Sequence, residues 1–222
     1  WSVFVSTLEE SFLAINPYLV KYGDLKEPLD LKNHQDIFAE LSMDGLSAAY
    51  PGYAKHVIDI MYKSQQVVMD NSLGIGFVNI EPDQDGVLRR LPIVSEVNGM
   101  LAPHFILRLL CEHIQYDLNK MELVSKRKLI LHDFPIGEDT EDVALPLDGQ
   151  GNMLINYLSF EKIQRLSKSN KFVNLSAWDI MNAKPYDLSD KTVIFGDNSS
   201  TVKESSFTPM DGHLPNQLIF AM

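Results

Sequence analysis

The stretch from Gly76 to Val94, GFVNIEPDQDGVLRRLPIV, constrains the fold more than any other part of the chain. Two apolar runs enclose a knot of acids and a glycine, and two arginines follow at once. Three readings compete. A calcium loop opening at Glu81 would place oxygen ligands at every second position before Gly86, but its twelfth position demands a bidentate glutamate. That position is Pro92, and cations Arg89 and Arg90 sit at the ninth and tenth. A catalytic pair would need two carboxylates with separated pKa values; Asp83 and Asp85 could form one, yet both fall in an exposed turn. The third reading is a hairpin between strands over 73–80 and 87–97. Aspartates bond the turn backbone and Gly86 takes positive φ. Side chains alternate along the second strand, so Arg89 and Arg90 face opposite ways. One lies over the acidic turn; the other reaches solvent, a cleft or an acid that receives it.

The rest of the pattern interleaves strands and helices. Residues 1–6 read as a short buried strand, and Asn33 caps a helix start. A turn follows at 48–53. Apolar residues at 57, 58, 60, 61, 67 and 68 suggest a helix over 56–69. Asn98-Gly99 is a turn dipeptide, and Pro103 suits the first turn of a helix running to about Tyr116. Lys128 to His132 is a strand, and 136–142 an acidic loop. Strands over 144–147 and 153–157 flank Asp148-Gly149-Gln150-Gly151 as a second hairpin. A short strand at 172–175 leads to Ser176, which caps a helix over 177–182. Thr192 to Gly196 has the look of a central parallel strand. The expected class is α/β: a mixed sheet with packed helices and two inserted antiparallel hairpins. The loop after Gly196 would lie at a strand's carboxyl end, the usual ligand side of such sheets. Asp197 and Asn198 there, with Arg89 and Arg90, are the candidate ligand contacts.

Composition narrows the function. The chain has 222 residues, enough for one large domain or two small ones, and a formal net charge of −11 that disfavours phosphate-driven nucleic-acid binding. Its one cysteine, Cys111, lies in an apolar helical run and reads as a small core residue. None of the six histidines falls at metal-ligand spacing. No cofactor and no metal are expected. No run approaches the ~20 apolar residues of a membrane span. The chain starts without methionine and ends on an apolar run, so it reads as a piece of a longer polypeptide.

The ordered set of motifs resembles the second class of CHASE domains, the cyclase- and histidine-kinase-associated sensory extracellular domains. Gly76, Asn79, Asp83, Asp85, Gly86, Arg89, Arg90 and Pro92 match the hairpin pattern of that family. Asn156 and Tyr157 match a later strand; Lys191, Gly196, Thr208 and Pro209 match the closing segment. The family's opening acidic strand and helix have no counterpart here, and Asn216 stands where a glycine is usual. The resemblance implies a single sensory domain over 1–222, an extracytoplasmic part of a bacterial membrane protein. A small-molecule or protein signal would act on it, and membrane helices would connect it to a cytoplasmic cyclase, kinase or diguanylate cyclase in the same parent chain. Homodimers are frequent among such sensors. The rival readings are a soluble α/β hydrolase-like enzyme using Asp83 or Asp85 with a distant histidine, and a stand-alone small-ligand-binding protein.

Overall fold

The structure is a computed structural model, and it describes residues 15–24, 29–30, 46–47, 54–63, 74–169, 173, 175–182, 192–194, 205–210, 212–215 and 219. The chain divides into two compact units. The first comprises Trp1–Glu81 and Arg90–Leu154, the second Pro82–Arg89 and Ile155–Met222.

The first unit is built on a six-stranded mixed sheet. Its strands are β1 (Ile15–Gly23), β2 (Leu46–Ser47), β3 (Lys55–Lys63), β4 (Gly74–Phe77), β6 (Val94–Val97) and β7 (Met100–Pro103); β5 (Arg90–Pro92) lies outside it. The order is β2-β7-β6-β3-β1-β4. β1 runs antiparallel to β3 and parallel to β4, while β3 runs parallel to β6. Val20, Val57, Ile60, Ile75, Phe77, Val97 and Ala102 pack together as its core, with Leu29 added from a loop. Alternation along β4 explains Gly74 and Gly76, which share one face of the strand while Ile75 and Phe77 share the other. A Cβ on Gly76 would sit 2.5 Å from the Phe105 Cα, so glycine is what lets a helix pack this close. That helix, α1 (Phe105–His113), buries Leu107, Arg108 and Cys111.

β6 and β7 are joined by Asn98 and Gly99, with φ of 47° and 84°. Positive φ at both central residues is the turn whose twist suits adjacent strands. A second, three-stranded sheet follows α1: β8 (Met121–Ser125), β9 (Lys128–Ile136) and β10 (Asp139–Pro146), in the order β10-β9-β8. Met121, Leu123, Leu129 and Leu131 are its buried face. β11 (Asn152–Leu154) pairs antiparallel with β5.

The second unit contains helices α2 (Phe160–Lys168) and α3 (Ala177–Asn182) and a hairpin of β12 (Ser205–Thr208) and β13 (Gly212–Pro215). Ser159 caps α2 by accepting from the Lys162 amide, and Ser176 accepts from the Trp178 amide at the start of α3. Among the described residues no helix is long and apolar enough to cross a membrane.

The α/β class with a mixed sheet, packed helices and antiparallel hairpins holds, and several pairings differ from the sequence reading. Residues 55–63 are a strand, not the start of a helix. The register of β3 with β1 skips Ile58 and Met61, and these two irregularities break the alternation that would have marked it as a strand. The strands over 73–80 and 87–97 form no hairpin with each other: the run before the acidic knot pairs with β1, and the run after it is broken at Ile93 into β5, which pairs with β11, and β6, which pairs with β3 and β7. Residues 144–146 belong to β10, which pairs with β9, so the segment forms no hairpin with 153–157. The acidic stretch 136–142 is the turn and first half of β10; two residues, Gly137 and Glu138, suffice to reverse the chain. Pro103 ends β7, and His104 caps α1 instead. Thr192–Ile194 form no strand, and Val193 is exposed. The segments 1–6, 33–41 and 48–53, most of 172–175, and 195–196 lie outside the described residues.

Candidate functional site

The acidic knot forms a closed loop in the second unit. The Asp83 amide donates to the Val87 carbonyl at 3.0 Å, and the Gly86 amide, at φ 80°, donates back to the Asp83 carbonyl at 2.8 Å. Asp85 Oδ1 accepts from the Val87 amide. Arg89 then clamps the loop: Nη1 reaches Asp83 Oδ2 at 3.0 Å and Asp85 Oδ1 at 2.9 Å, and Nη2 reaches Asp85 Oδ2 at 2.8 Å. A planar guanidinium gripping both oxygens of one carboxylate is the geometry arginine suits best. Arg89 thereby holds the Asp85 carboxyl down to about 2, and the two aspartates push the guanidinium above its ordinary value. A carboxylate that acidic and that fully engaged is a poor proton acceptor.

The stem of the loop is tied by main chain. The Leu88 amide donates to the Phe207 carbonyl at 2.7 Å, and the Ile155 amide to the Arg89 carbonyl at 2.9 Å. Tyr157 Oη donates to the Leu88 carbonyl at 2.7 Å. Asn156, next to it, is exposed in a loop. Thr208 is buried in β12 opposite Gly212, and Pro209 is exposed in the turn that follows. Tyr157 and β12, distant in sequence, thus hold the backbone of the acidic loop.

Arg90 belongs to the first unit, where its Nε lies 3.9 Å from Asp148 Oδ2. Asp148 organises the loop between β10 and β11. Its Oδ1 accepts from the amides of Gln150 and Asn152, and its Oδ2 accepts from Asn152 Nδ2 at 2.8 Å. These bonds outweigh burial and hold the Asp148 carboxyl below the usual range. Gly151 has φ 82°, and a Cβ there would meet the Val94 carbonyl oxygen at 2.9 Å. Pro92 lies opposite Asn152 in the β5–β11 pair.

Asn79 is buried in the first unit and completes the sheet with its side chain. Its Nδ2 donates to the Val20 carbonyl at 2.7 Å, and its Oδ1 accepts from the Val20 amide at 2.9 Å. It extends the β1–β4 ladder past the end of β4. Asn98 makes the same two-point contact with the Leu29 backbone, at 3.0 and 3.3 Å. Next to these, His104 is fully buried, and its Nδ1 accepts from the Ile106 amide at the start of α1. Burial pushes its pKa down to about 3, partly offset by a hydrogen bond to the Asn79 backbone. Its ring is therefore neutral, with the proton on Nε2, and acts as a helix cap. Cys111, buried in α1, is pushed up to about 12.

The structure thus brings Asp83, Asp85, Gly86 and Arg89 into one loop with Tyr157, and places Arg90 on Asp148. Gly76 and Asn79 serve the six-stranded sheet. Asp197, Asn198, Lys191 and Gly196 lie outside the described residues. Asp148, Asn152 and Asn98 were missed as organising side chains. The Asp148-Gly149-Gln150-Gly151 run read as a turn, but nothing in its periodicity marked Asp148 as the hub. Among the described residues no group of three or more histidine, cysteine or acidic side chains is arranged to hold a metal ion.

Comparison with known families agrees with this arrangement of motifs. The model of the CHASE2 domain matches residues 26–222, nearly the whole chain. No curated protein and no solved structure matches it. CHASE2 domains are extracellular sensory domains of signalling receptors and are not catalytic. With its acidic loop, its glycine-lined strand and its Tyr157 tie all inside the matched region, the chain belongs to the CHASE2 domain family.

Proposed function

We propose that the chain is the extracytoplasmic signal-sensing module of a bacterial membrane receptor. A small-molecule or protein signal favours one of two conformations of the module. That bias passes through the segment after Met222 to a cytoplasmic cyclase, kinase or diguanylate cyclase of the same parent chain. The observation that carries this reading is the family match over 26–222, which spans both compact units. The chemistry of the acidic loop agrees with it, because Asp83 and Asp85 are occupied by Arg89 and the backbone instead of being poised for proton transfer.

A signal shifts such an equilibrium only by its differential affinity for the two states. Asp197 and Asn198 are the proposed ligand contacts, and Arg89 is assigned to loop structure. The test is to read the parent frame beyond both ends of the chain. Apolar runs of about 20 residues on its flanks, with a cyclase or kinase pattern beyond, support the sensor. A stop near Met222 without an upstream membrane helix overturns it. In that case a folded Asp85→Ala protein should be assayed for lost hydrolytic turnover, the outcome the enzyme reading requires.

A further inference from the structure

His132 stands at the centre of the three-stranded sheet of the first unit and touches a carboxylate on each neighbouring strand. Its Nε2 lies 3.1 Å from Glu122 Oε2 on β8, and its Nδ1 lies 3.0 Å from Asp142 Oδ2 on β10. The surrounding backbone is irregular at this point. Glu141 pairs with Phe134 and Val143 with Leu131, so His132 and Asp133 together oppose the single residue Asp142. Such a bulge leaves one residue out of the ladder. Asp133 takes φ 52°, a left-handed conformation, and its amide donates to Asp142 Oδ1 at 3.1 Å. Asp142 therefore holds the bulge with one oxygen and the imidazole with the other.

The chemistry of this contact fixes the protonation state it needs. A neutral imidazole has one N–H donor and one lone pair. Both of its neighbours here are carboxylate oxygens, which only accept. Two simultaneous contacts require both ring nitrogens to donate, and so an imidazolium. We propose that Glu122, His132 and Asp142 form a proton-operated staple: as imidazolium, His132 ties the three strands and fixes the β9–β10 bulge, and loss of its proton releases one carboxylate and loosens the outer half of that hairpin. The device stands apart from the sensory reading and would operate in the chain whatever its output.

The other charged groups around the staple do not replace it. Lys120, from the short 3-10 segment Leu118–Lys120, pairs with Asp133 at 3.1 Å. Asp117 accepts from the Asn119 amide and side chain. Tyr116 Oη has one proton, which faces the main-chain carbonyls of His132 at 2.8 Å and Lys120 at 3.1 Å, and burial pushes its pKa up to about 12. Glu141 precedes Asp142 on β10. Glu122 and Asp142 raise the His132 pKa above its ordinary value, and the Asp133 amide, followed by His132, lowers that of Asp142. The sign follows from these directions. The His132 contribution is complete below the ordinary histidine value of 6.5 and is lost as pH rises through the raised one. The Asp142 contribution is present above 3.8 and is lost as pH falls through its lowered value. The staple is closed between these limits and opens on the alkaline side.

The test uses the whole 222-residue chain. The His132 ring is titrated by NMR, and amide exchange of residues 133–142 is compared at pH 6 and pH 9 after correction for intrinsic rates. Wild type should titrate above ~6.5. Its protection at 133–142 should fall about threefold or more between the two pH values, the scale of an exposed ion pair. His132→Gln should show equal protection at both. Glu122→Gln and Asp142→Asn should each move the His132 titration downward, and these variants carry the test if His132→Gln does not fold. A ring that titrates at or below ~6.5, protection in wild type that is unchanged between the two pH values, or no downward shift in either carboxamide variant overturns the proposal.

Discussion

Replacing Asn79 by alanine removes a side chain that stands in for a strand. Val20 is 2% exposed, and its amide and carbonyl both depend on Asn79, at 2.9 and 2.7 Å. Alanine strands both groups in the interior. A buried backbone group left without its partner costs about 1–3 kcal/mol, so the pair costs roughly 2–6 kcal/mol. Taking about 4 kcal/mol, and about 2–4 °C per kcal/mol for a protein of this size, the melting temperature should fall by roughly 8–16 °C. Circular dichroism melts of wild type and Asn79→Ala measure this, read on the transition of the unit that carries β1. Asn79→Asp separates the hydrogen-bond argument from simple loss of volume. An ionised aspartate offers Val20 an acceptor but no donor, and it turns a charge toward the Val20 carbonyl. A protonated aspartate has both an O–H donor and an acceptor, and its shape is that of asparagine. Burial beside a carbonyl raises the folded-state pKa of this carboxyl. Its stabilisation is then full below the ordinary value of ~3.9 and is lost as pH rises through the raised one. Asn79→Asp should therefore gain on Asn79→Ala as pH falls from 7 to 4. A fall of under about 2 °C for Asn79→Ala would refute the reasoning, since a water taking the vacated site would be satisfying Val20. So would an aspartate variant whose deficit does not change with pH.

Further predictions concern other single sites. Gly76→Ala puts a Cβ 2.5 Å from the Phe105 Cα and 2.7 Å from its amide nitrogen; both are backbone, so the helix must shift, and denaturant titration should show a loss of about 1–3 kcal/mol. Gly86→Ala meets no atom within 4 Å, so only its positive φ is charged, and its cost should stay near 1 kcal/mol. Tyr157→Phe removes one hydrogen bond of 2.7 Å to the Leu88 carbonyl and should cost about 1 kcal/mol, measured on the same titration. Cys111, buried and pushed up to about 12, should react with an aromatic disulfide only at the rate of unfolding. Asp85, held near 2 by Arg89, contributes stability that is present above 3.8 and lost as pH falls through about 2, so the loop resonances should stay unchanged down to pH 3 and move below it.

What the sequence made legible was chemistry that acts over a few residues. Asn98-Gly99 reads as a turn because the two φ values it must adopt are ones those residues tolerate, and the turn is where expected. Ser176 starts α3 for an equally local reason. Pairing is another matter. β3 carries apolar residues at 57, 58, 60 and 61, which fit a helix as well as a strand whose register skips Ile58 and Met61. Only its neighbours, β1 at least 33 residues before it (Gly23 opposite His56) and β6 after it, decide the case. Pro103 satisfies the rule for a helix start and equally the rule for a strand's last residue; His104, whose ring can accept from the Ile106 amide once buried, decides between them.

The same distinction explains why the family motifs were visible while their purpose was not. Residues with a special backbone or bonding demand stand out in a sequence even when the partner is unknown. Gly76 is there because a helix backbone passes within contact of it, and that helix lies some thirty residues further along. Asn79 reaches back 59 residues to Val20, and Tyr157 reaches back 69 to Leu88. Each motif is half of a long-range contact whose other half is ordinary main chain. Main-chain partners leave no signature, because any residue supplies an amide and a carbonyl. Arg89 differs, since both of its partners are aspartates within six residues, yet strand alternation alone does not say which of Arg89 and Arg90 covers them. It follows that the matched positions chiefly mark where this fold is tied together. Positions that select a signal are free of that demand, and they belong on surfaces where a side chain is not already engaged in holding the backbone.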